Sequence, residues 1–154
     1  VLQSNQLDLL DRSFSEALRK YPAGASGTIR VVGETPIIVG DSNLELPPGV
    51  SITIPPYALH RNPKYWPDPE RFDPDRFLPE MVKNRDPMRF QAFSGGPRKC
   101  VGSRLARIEA LTTMSALLRR FRVECVEEKL PPKQFLALTM KPKHGIRFVF
   151  EPRV

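Results

Sequence analysis

The stretch of this sequence with the clearest capacity for chemistry is a glycine-rich turn that presents one cysteine. It reads FSGGPRKCVG over residues 93–102, with two glycines before Cys100 and one after it. Glycines let the backbone bend tightly and approach a flat object closely. A helix-like segment follows from residue 101 to about 120, and the positive end of its dipole favours a thiolate at the cysteine. A rigidly held thiolate could be a nucleophile, a redox thiol or a metal ligand.

The spacing in this turn resembles the haem-binding loop of the cytochrome P-450 family. The matching positions are Phe93, Gly96, Arg98, Cys100 and Gly102. In that family the cysteine is the axial thiolate on the haem iron, so the resemblance implies haem b as cofactor and Cys100 as its metal ligand. It also implies that Phe93 packs against the proximal haem face and that Arg98 meets a haem propionate. The alternative is an inert, half-buried cysteine in a turn.

The first helical pattern extends from about Ser4 to Lys20 and ends at Pro22. Its apolar stripe consists of Leu7, Leu10, Phe14, Leu18 and Tyr21. Glu16 and Arg19 lie away from that stripe, and an exposed pair there would contribute little to stability. With the cysteine turn downstream, the pair resembles the family's helix K motif, which forms a buried and purely structural network with a later arginine.

The arginine that completes this network has two candidates in a stretch rich in proline and charge, residues 66–77. Such composition alone suggests a solvated or disordered segment, but its three aromatic residues offer a large area to bury. The segment resembles the family's Pro-Glu-Arg-Phe region. The register of Pro74–Phe77 favours Arg76 over Arg71.

Short β-like runs separate the first helix from this segment, and turn residues lie between them. They are Thr28–Val32, Pro36–Val39, Leu44–Leu46 and Val50–Ile54. The resemblance implies that they form the family's small sheet and that Arg30 pairs with a haem propionate, since a guanidinium grips a carboxylate with two hydrogen bonds. An exposed strand arginine without that role is an equal alternative.

Three further strands are expected after the long helix, at Phe121–Val126, Phe135–Met140 and Ile146–Phe150. From residue 136 to 150 the chain resembles the closing hairpin of the family, with residues 143–145 as its turn. Neither His60 nor His144 has a second metal ligand at workable spacing, so His60 is interpreted as structural.

The composition excludes several classes of function. The formal charge of +7 comes from basic residues that are spread along the chain and mixed with acidic ones, which does not favour nucleic-acid binding. Two cysteines far apart in sequence do not make a disulfide framework. No run of about 18 apolar residues is present to span a membrane.

The predicted fold class is therefore α+β, as the C-terminal portion of a mainly α cytochrome P-450 fold. The portion would run from helix K through the small sheet, the meander, the cysteine loop and helix L to the terminal hairpin, as one domain over residues 1–154. The resemblance implies a parent that inserts one oxygen atom of O2 into a lipophilic substrate, with electrons from a redox partner. That partner would dock near Lys99, Arg104 and Arg107, although a solvated basic face is the alternative.

The chain begins at Val1 without a methionine, which is typical of a fragment. In the family, the oxygen-activating helix and most of the substrate pocket precede helix K, so we expect this piece alone to be inactive and assign it no catalytic residue. It could be a haem-binding remnant without turnover, or a structural module that has lost the cofactor. The resemblance places the parent at the endoplasmic reticulum membrane, on the cytosolic face, through a preceding N-terminal part; a cytoplasmic location is the alternative. Residues 90–93 resemble branches that hydroxylate fatty acids.

Overall fold

The computed structural model describes residues 7–126 and 132–153, and the architecture there is α+β. The four α-helices in these ranges are α1 (Asp8–Lys20), α2 (Pro56–Leu59), α3 (Pro79–Lys83) and α4 (Ser103–Arg120). The strands are β1 (Ile29–Val31), β2 (Ile37–Val39), β3 (Leu44–Leu46), β4 (Ser51–Thr53), β5 (Phe121–Cys125), β6 (Gln134–Leu136), β7 (Met140–Pro142) and β8 (Phe148–Pro152). All of their pairings are antiparallel and form two-stranded sheets.

The first four strands form two antiparallel pairs, and in the sequence the β2–β3 pair lies between β1 and β4. Strand β2 pairs with β3, and β1 pairs with β4 so that Arg30 lies opposite Ile52. Asn43, in the left-handed region at φ 52°, closes the turn between β2 and β3. Each strand lies within the range that the sequence predicts, which confirms all four.

The C-terminal strands differ from the expectation. The predicted single strand Phe135–Met140 is wrong, because the chain turns at residues 137–139 and β6 pairs back on β7. In that turn the Ala137 N–H donates to the Thr139 carbonyl at 3.2 Å. The predicted pairing across residues 143–145 is also wrong, since β8 pairs with β5 instead of β7.

Helix α1 buries its polar side. The buried residues of the helix are Ser15, Glu16, Arg19 and Lys20, while most of the predicted apolar stripe is only half-buried. The helix ends at Lys20 as predicted, because Pro22 has no N–H to continue it. The predicted start at Ser4 lies outside the described residues.

A cluster of rings packs beneath α1 and forms most of the apolar interior near the site. Trp66 is 2% exposed, and its ring lies 6.1 Å from Phe77 and 6.4 Å from Phe90, centroid to centroid. The Arg85 guanidinium lies 4.7 Å from both the Trp66 and the Phe77 ring. This packing explains why a proline-rich segment is ordered. Phe72, in contrast, is exposed.

Helix α4 begins at Ser103, two residues later than predicted, and passes directly into β5. It packs on α1, and Ser115 is its buried residue. The apolar band that starts beside the cysteine stays exposed, with Val101 at 102%, Leu105 at 68% and Ile108 at 53%. Within residues 7–126 and 132–153, no helix is both long and apolar enough to cross a membrane.

Candidate functional site

The loop that presents Cys100 is held by its own backbone. The Cys100 N–H donates to the Phe93 carbonyl at 2.8 Å, and the Lys99 N–H donates to the Gly96 carbonyl at 3.1 Å. Gly96 has a φ of +71°, a conformation that an L side chain rarely adopts. The glycine at this position is therefore required by the turn itself. These two backbone bonds hold the cysteine at the open end of a tight loop.

The space beside the thiol is open. Cys100 is exposed and unbridged, and a Cβ added at Gly102 would meet only the Cys100 Sγ, at 3.9 Å. Nothing in the chain itself therefore demands glycine at position 102, and the missing side chain leaves room next to the sulfur. Among the described residues no group of three or more His, Cys, Asp or Glu side chains could hold a metal ion. A group held here would take Cys100 as a single thiolate ligand.

Two arginines in exposed positions have guanidinium groups that are available to an anion. Arg98 ends the short 3-10 turn Gly96–Arg98, and within the described part of the chain its side chain has no hydrogen bond or ion pair. Arg30 lies on β1 and donates to the carbonyl of its neighbour Ile29 at 3.1 Å. A guanidinium in either position can bind a carboxylate through two parallel bonds.

The Glu16–Arg19 pair is fully buried, unlike the exposed alternative considered for it. Arg19 Nε donates to Glu16 Oε2 at 2.7 Å and Arg19 Nη2 to Oε1 at 2.8 Å, and neither side chain has any exposed surface. Arg19 also donates to the carbonyls of His60 at 2.7 Å and Pro69 at 2.8 Å. A buried ion pair is tolerated when its remaining donors and acceptors are satisfied in this way.

Of the two candidate arginines, Arg76 lies beside Glu16. Its Nε is 3.7 Å from Glu16 Oε1, and its side chain is 13% exposed. Arg71 is 71% exposed and lies 3.9 Å from Asp73. The Asp73 N–H donates to Glu16 Oε1 at 2.9 Å, so the carboxylate is hydrogen-bonded by a backbone amide and Arg19, whereas Arg76 forms only an ion-pair contact and its buried Nε has no hydrogen-bond partner. This cluster, Glu16 with Arg19 and Arg76, is called the buried charge cluster below.

His60 packs against the buried charge cluster and is fully buried. The pKa of His60 is lowered to about 4, mainly by burial, while the hydrogen bond to the Arg19 carbonyl raises it and the nearby charges of Arg19, Arg61 and Arg85 lower it. The ring is therefore neutral at neutral pH. Burial also lowers the pKa of Arg85.

Two residues of this region carry no signal in the sequence. Arg85 is one arginine among many, and only the folded chain places it against Trp66 and Phe77. Gln91 is an ordinary polar residue, yet its N–H donates to His60 Nε2 at 2.9 Å.

The basic residues expected to dock a partner divide into two kinds. Lys99 and Arg104 are exposed, and in the described part of the chain neither has a hydrogen bond or ion pair. Arg107 instead pairs with the Asp11 carboxylate of α1 and is 43% exposed. Arg107 is therefore partly committed to packing α4 on α1.

Comparison with known proteins identifies the class of this chain. A family model described as Cytochrome P450 matches residues 2–148. Cytochrome P450 4c3 of Drosophila melanogaster is 36% identical over 151 residues, which cover 97% of this chain and 28% of that protein. The chain belongs to the cytochrome P450 family.

Further relatives come from mammals. Thromboxane-A synthase of Sus scrofa is 34% identical over 148 residues, 96% of this chain and 27% of that protein. Cytochrome P450 3A13 of Mus musculus is 36% identical over 142 residues, 92% of this chain and 27% of that protein. The chain thus spans between a quarter and a third of the length of these relatives.

Proposed function

We propose that this chain supplies the thiolate side of a haem-thiolate monooxygenase, in which Cys100 would hold the iron of haem b through its thiolate. The observation that carries the proposal is the exposed thiol of Cys100, held by the Phe93 carbonyl in a loop whose flank is open at Gly102. A flat macrocycle needs this open flank, and a thiolate ligand needs a fixed direction.

The chain's own residues have distinct tasks in this proposal. Cys100 would donate its sulfur, and Phe93 would pack against the haem face and shield the sulfur from water. Arg98 and Arg30, whose guanidinium groups are exposed, bind the haem propionates. When bound, haem supplies activation of O2 so that one oxygen atom enters a C–H bond of a lipophilic substrate.

An apolar surface next to Cys100 supports a large apolar partner for this loop. Three exposed apolar residues follow Cys100: Val101 comes directly after it, Leu105 four residues later, and Ile108 three residues after that. Residues at such intervals are neighbours on a helix surface. Contiguous exposed apolar side chains are typical of a surface that another group covers. The macrocycle would cover the end of this surface that lies nearest to Cys100.

The buried charge cluster has a structural role in this proposal and takes no part in the reaction. Its hydrogen bonds reach from α1 to residues 60, 69, 71 and 73. We propose that it corresponds to the structural helix K network, with α4 as helix L.

The redox partner is proposed to dock on the basic surface around Lys99 and Arg104, with Arg107 at its edge. These residues lie next to Cys100 in the chain, so a donor bound there would be close to the haem. The parent is proposed to work at the cytosolic face of the endoplasmic reticulum membrane.

A second candidate function is haem binding without turnover by this chain alone. The observation that favours it is that Phe93, Arg98 and Cys100 all lie in one loop, because a haem bound only through this loop would keep its other face in water. In this case the chain would form the thiolate complex but would not oxidise substrate.

The test is the absorbance spectrum of the haem-reconstituted chain in the ferrous carbon-monoxide state. We expect a far-red Soret band that is lost in Cys100→Ser. Cys125→Ser is the matched control, because Cys125 is the other free cysteine and lies half-buried in β5. A band that survives Cys100→Ser, or that is absent from the unsubstituted chain, would contradict haem-thiolate binding by this chain.

A further inference from the structure

His60 makes a side-chain hydrogen bond on each side of its ring, both to backbone groups. Its Nδ1 lies 3.1 Å from the Arg19 carbonyl, and its Nε2 lies 2.9 Å from the Gln91 nitrogen. A carbonyl only accepts and a backbone N–H only donates, so Nδ1 carries the proton and Nε2 is the acceptor. The neutral imidazole is thus fully satisfied, and it connects the end of α1 to residue 91.

On one side, His60 is bound to the buried charge cluster. Arg19 Nη1 donates to the His60 carbonyl at 2.7 Å, while the His60 ring donates to the Arg19 carbonyl. The two residues therefore exchange two hydrogen bonds although they are 41 positions apart in the sequence. His60 cannot shift without disturbing the buried Glu16–Arg19 pair.

On the other side, the His60 ring accepts a hydrogen bond from Gln91, the first residue of the segment that leads to Cys100. The Gln91 carbonyl accepts from the Ser94 N–H at 3.1 Å, and a Cβ added at Gly95 would lie 2.8 Å from Gln91 Oε1. Gln91 thus binds the loop through its backbone carbonyl, and its side chain lies against Gly95. The loop closes two residues further on, where the Phe93 carbonyl accepts from Cys100.

We propose that His60 is a positioning residue that fixes the cysteine loop to the buried charge cluster through the Gln91 N–H. Its importance for Cys100 rests on the function proposed above, whereas the connection itself is a property of the fold. The competing explanation is that His60 only fills space, since its ring stacks on Phe90 at 5.3 Å between centroids.

Two substitutions separate these explanations, because each removes the ring but keeps a different hydrogen bond. In His60→Asn the amide nitrogen can replace Nδ1 and donate to the Arg19 carbonyl, but the side chain is too short to reach Gln91. In His60→Gln the longer side chain can place an amide oxygen near the Nε2 position and accept from the Gln91 N–H. A space-filling role predicts losses that follow the side-chain volume removed and extend to all the residues packed on the ring, without a specific loss at the Gln91 amide.

The measurement is amide hydrogen exchange by NMR on the complete 154-residue chain. We expect His60→Asn to lower protection at the Gln91 and Cys100 amides roughly tenfold or more, because a buried donor loses its partner. His60→Gln should preserve most of this protection. The Tyr21 amide, which donates to the Ala17 carbonyl at 2.7 Å, reports whether the end of α1 stays folded. The Arg153 amide, which donates to the Arg120 carbonyl at 2.8 Å, is the distant reference and should be unchanged in both variants. Equal losses at Gln91, or no loss, would overturn the proposal.

The unsubstituted chain gives a second test in case His60→Asn fails to fold and Tyr21 exchanges as well. A nitrogen–nitrogen scalar coupling between His60 Nε2 and the Gln91 amide should be detectable across the hydrogen bond, with the proton on Nδ1. A protonated Nε2, or a missing coupling, would overturn the proposal without any variant.

Haem spectra show which of the two proposals has failed. If Cys100→Ser leaves the far-red Soret band intact, the haem-thiolate function is wrong, and the exchange data still decide whether His60 holds the loop. If Cys100→Ser abolishes the band but His60→Asn and His60→Gln behave alike in exchange, only the positioning role of His60 is wrong.

Discussion

Replacing Arg19 with lysine keeps the positive charge but removes the planar fork on which the buried charge cluster depends. The guanidinium binds both Glu16 oxygens and donates to three carbonyls, those of His60, Pro69 and Arg71. A single ammonium group at one point cannot serve the carboxylate and all three carbonyls. At least two buried acceptors would lose their donor, at about 1–3 kcal/mol each. We therefore expect Arg19→Lys to lower the free energy of unfolding by about 2–6 kcal/mol.

Urea unfolding followed by tryptophan fluorescence measures this loss. Trp66 is the only tryptophan, and its ring centroid lies 5.4 Å from Arg19 Cζ, so the signal reports on this part of the chain. Arg71→Lys is the matched control, because the Arg71 side chain is 71% exposed and its replacement should change stability by less than about 0.5 kcal/mol. If Arg19→Lys destabilises the chain no more than Arg71→Lys does, the buried fork is not a major source of stability.

Two further predictions concern His60 and Gly27. The pKa of His60 is about 4 in the folded chain against 6.5 for an ordinary histidine. As the pH falls, the unfolded chain therefore binds the proton before the folded chain does. The free energy of unfolding should decrease by roughly 3 kcal/mol between pH 7 and pH 4. His60→Gln should remove that part of the pH dependence of the urea midpoint, and identical slopes for both chains would contradict the lowered pKa. Gly27→Ala should cost roughly 2 kcal/mol or more, because Gly27 has φ +79° and its added Cβ would lie 2.2 Å from the Ile54 oxygen. In calorimetry Gly33→Ala, which meets nothing within 4 Å, should unfold near the unsubstituted chain, and equal melting temperatures of the two variants would refute the clash.

The elements that the sequence predicted well are those whose ends carry a local signal. Helix α1 ends before Pro22, and the four short strands lie between turns marked by glycine, proline and asparagine. The β6–β7 hairpin was predicted as one strand because the run from residue 135 to 140 contains no glycine, proline, asparagine or aspartate to mark a turn. Its turn instead accompanies a distant contact, in which the Met140 N–H donates to the Ala23 carbonyl at 2.9 Å.

The sequence by itself determined the cysteine loop and the family to which it points. Gly96 permits the left-handed backbone of the turn, at φ 71°, without a steric cost, and the spacing to Cys100 is set within a few residues. Local conformational preferences of this kind are properties of the chain alone.

Only the tertiary structure decided what lies inside. The polar side of α1 is buried instead of its apolar stripe, and Arg76 approaches Glu16 while Arg71 stays exposed. His60 becomes the connection between the charge cluster and the cysteine loop through bonds that span 41 and 31 residues. Burial and hydrogen bonding depend on which distant segments meet, because a charged side chain can leave water only when partners from elsewhere replace its solvation. That condition is met here where α1, residue 60, residues 69–76 and residue 91 pack together. No single stretch of the sequence contains all four segments.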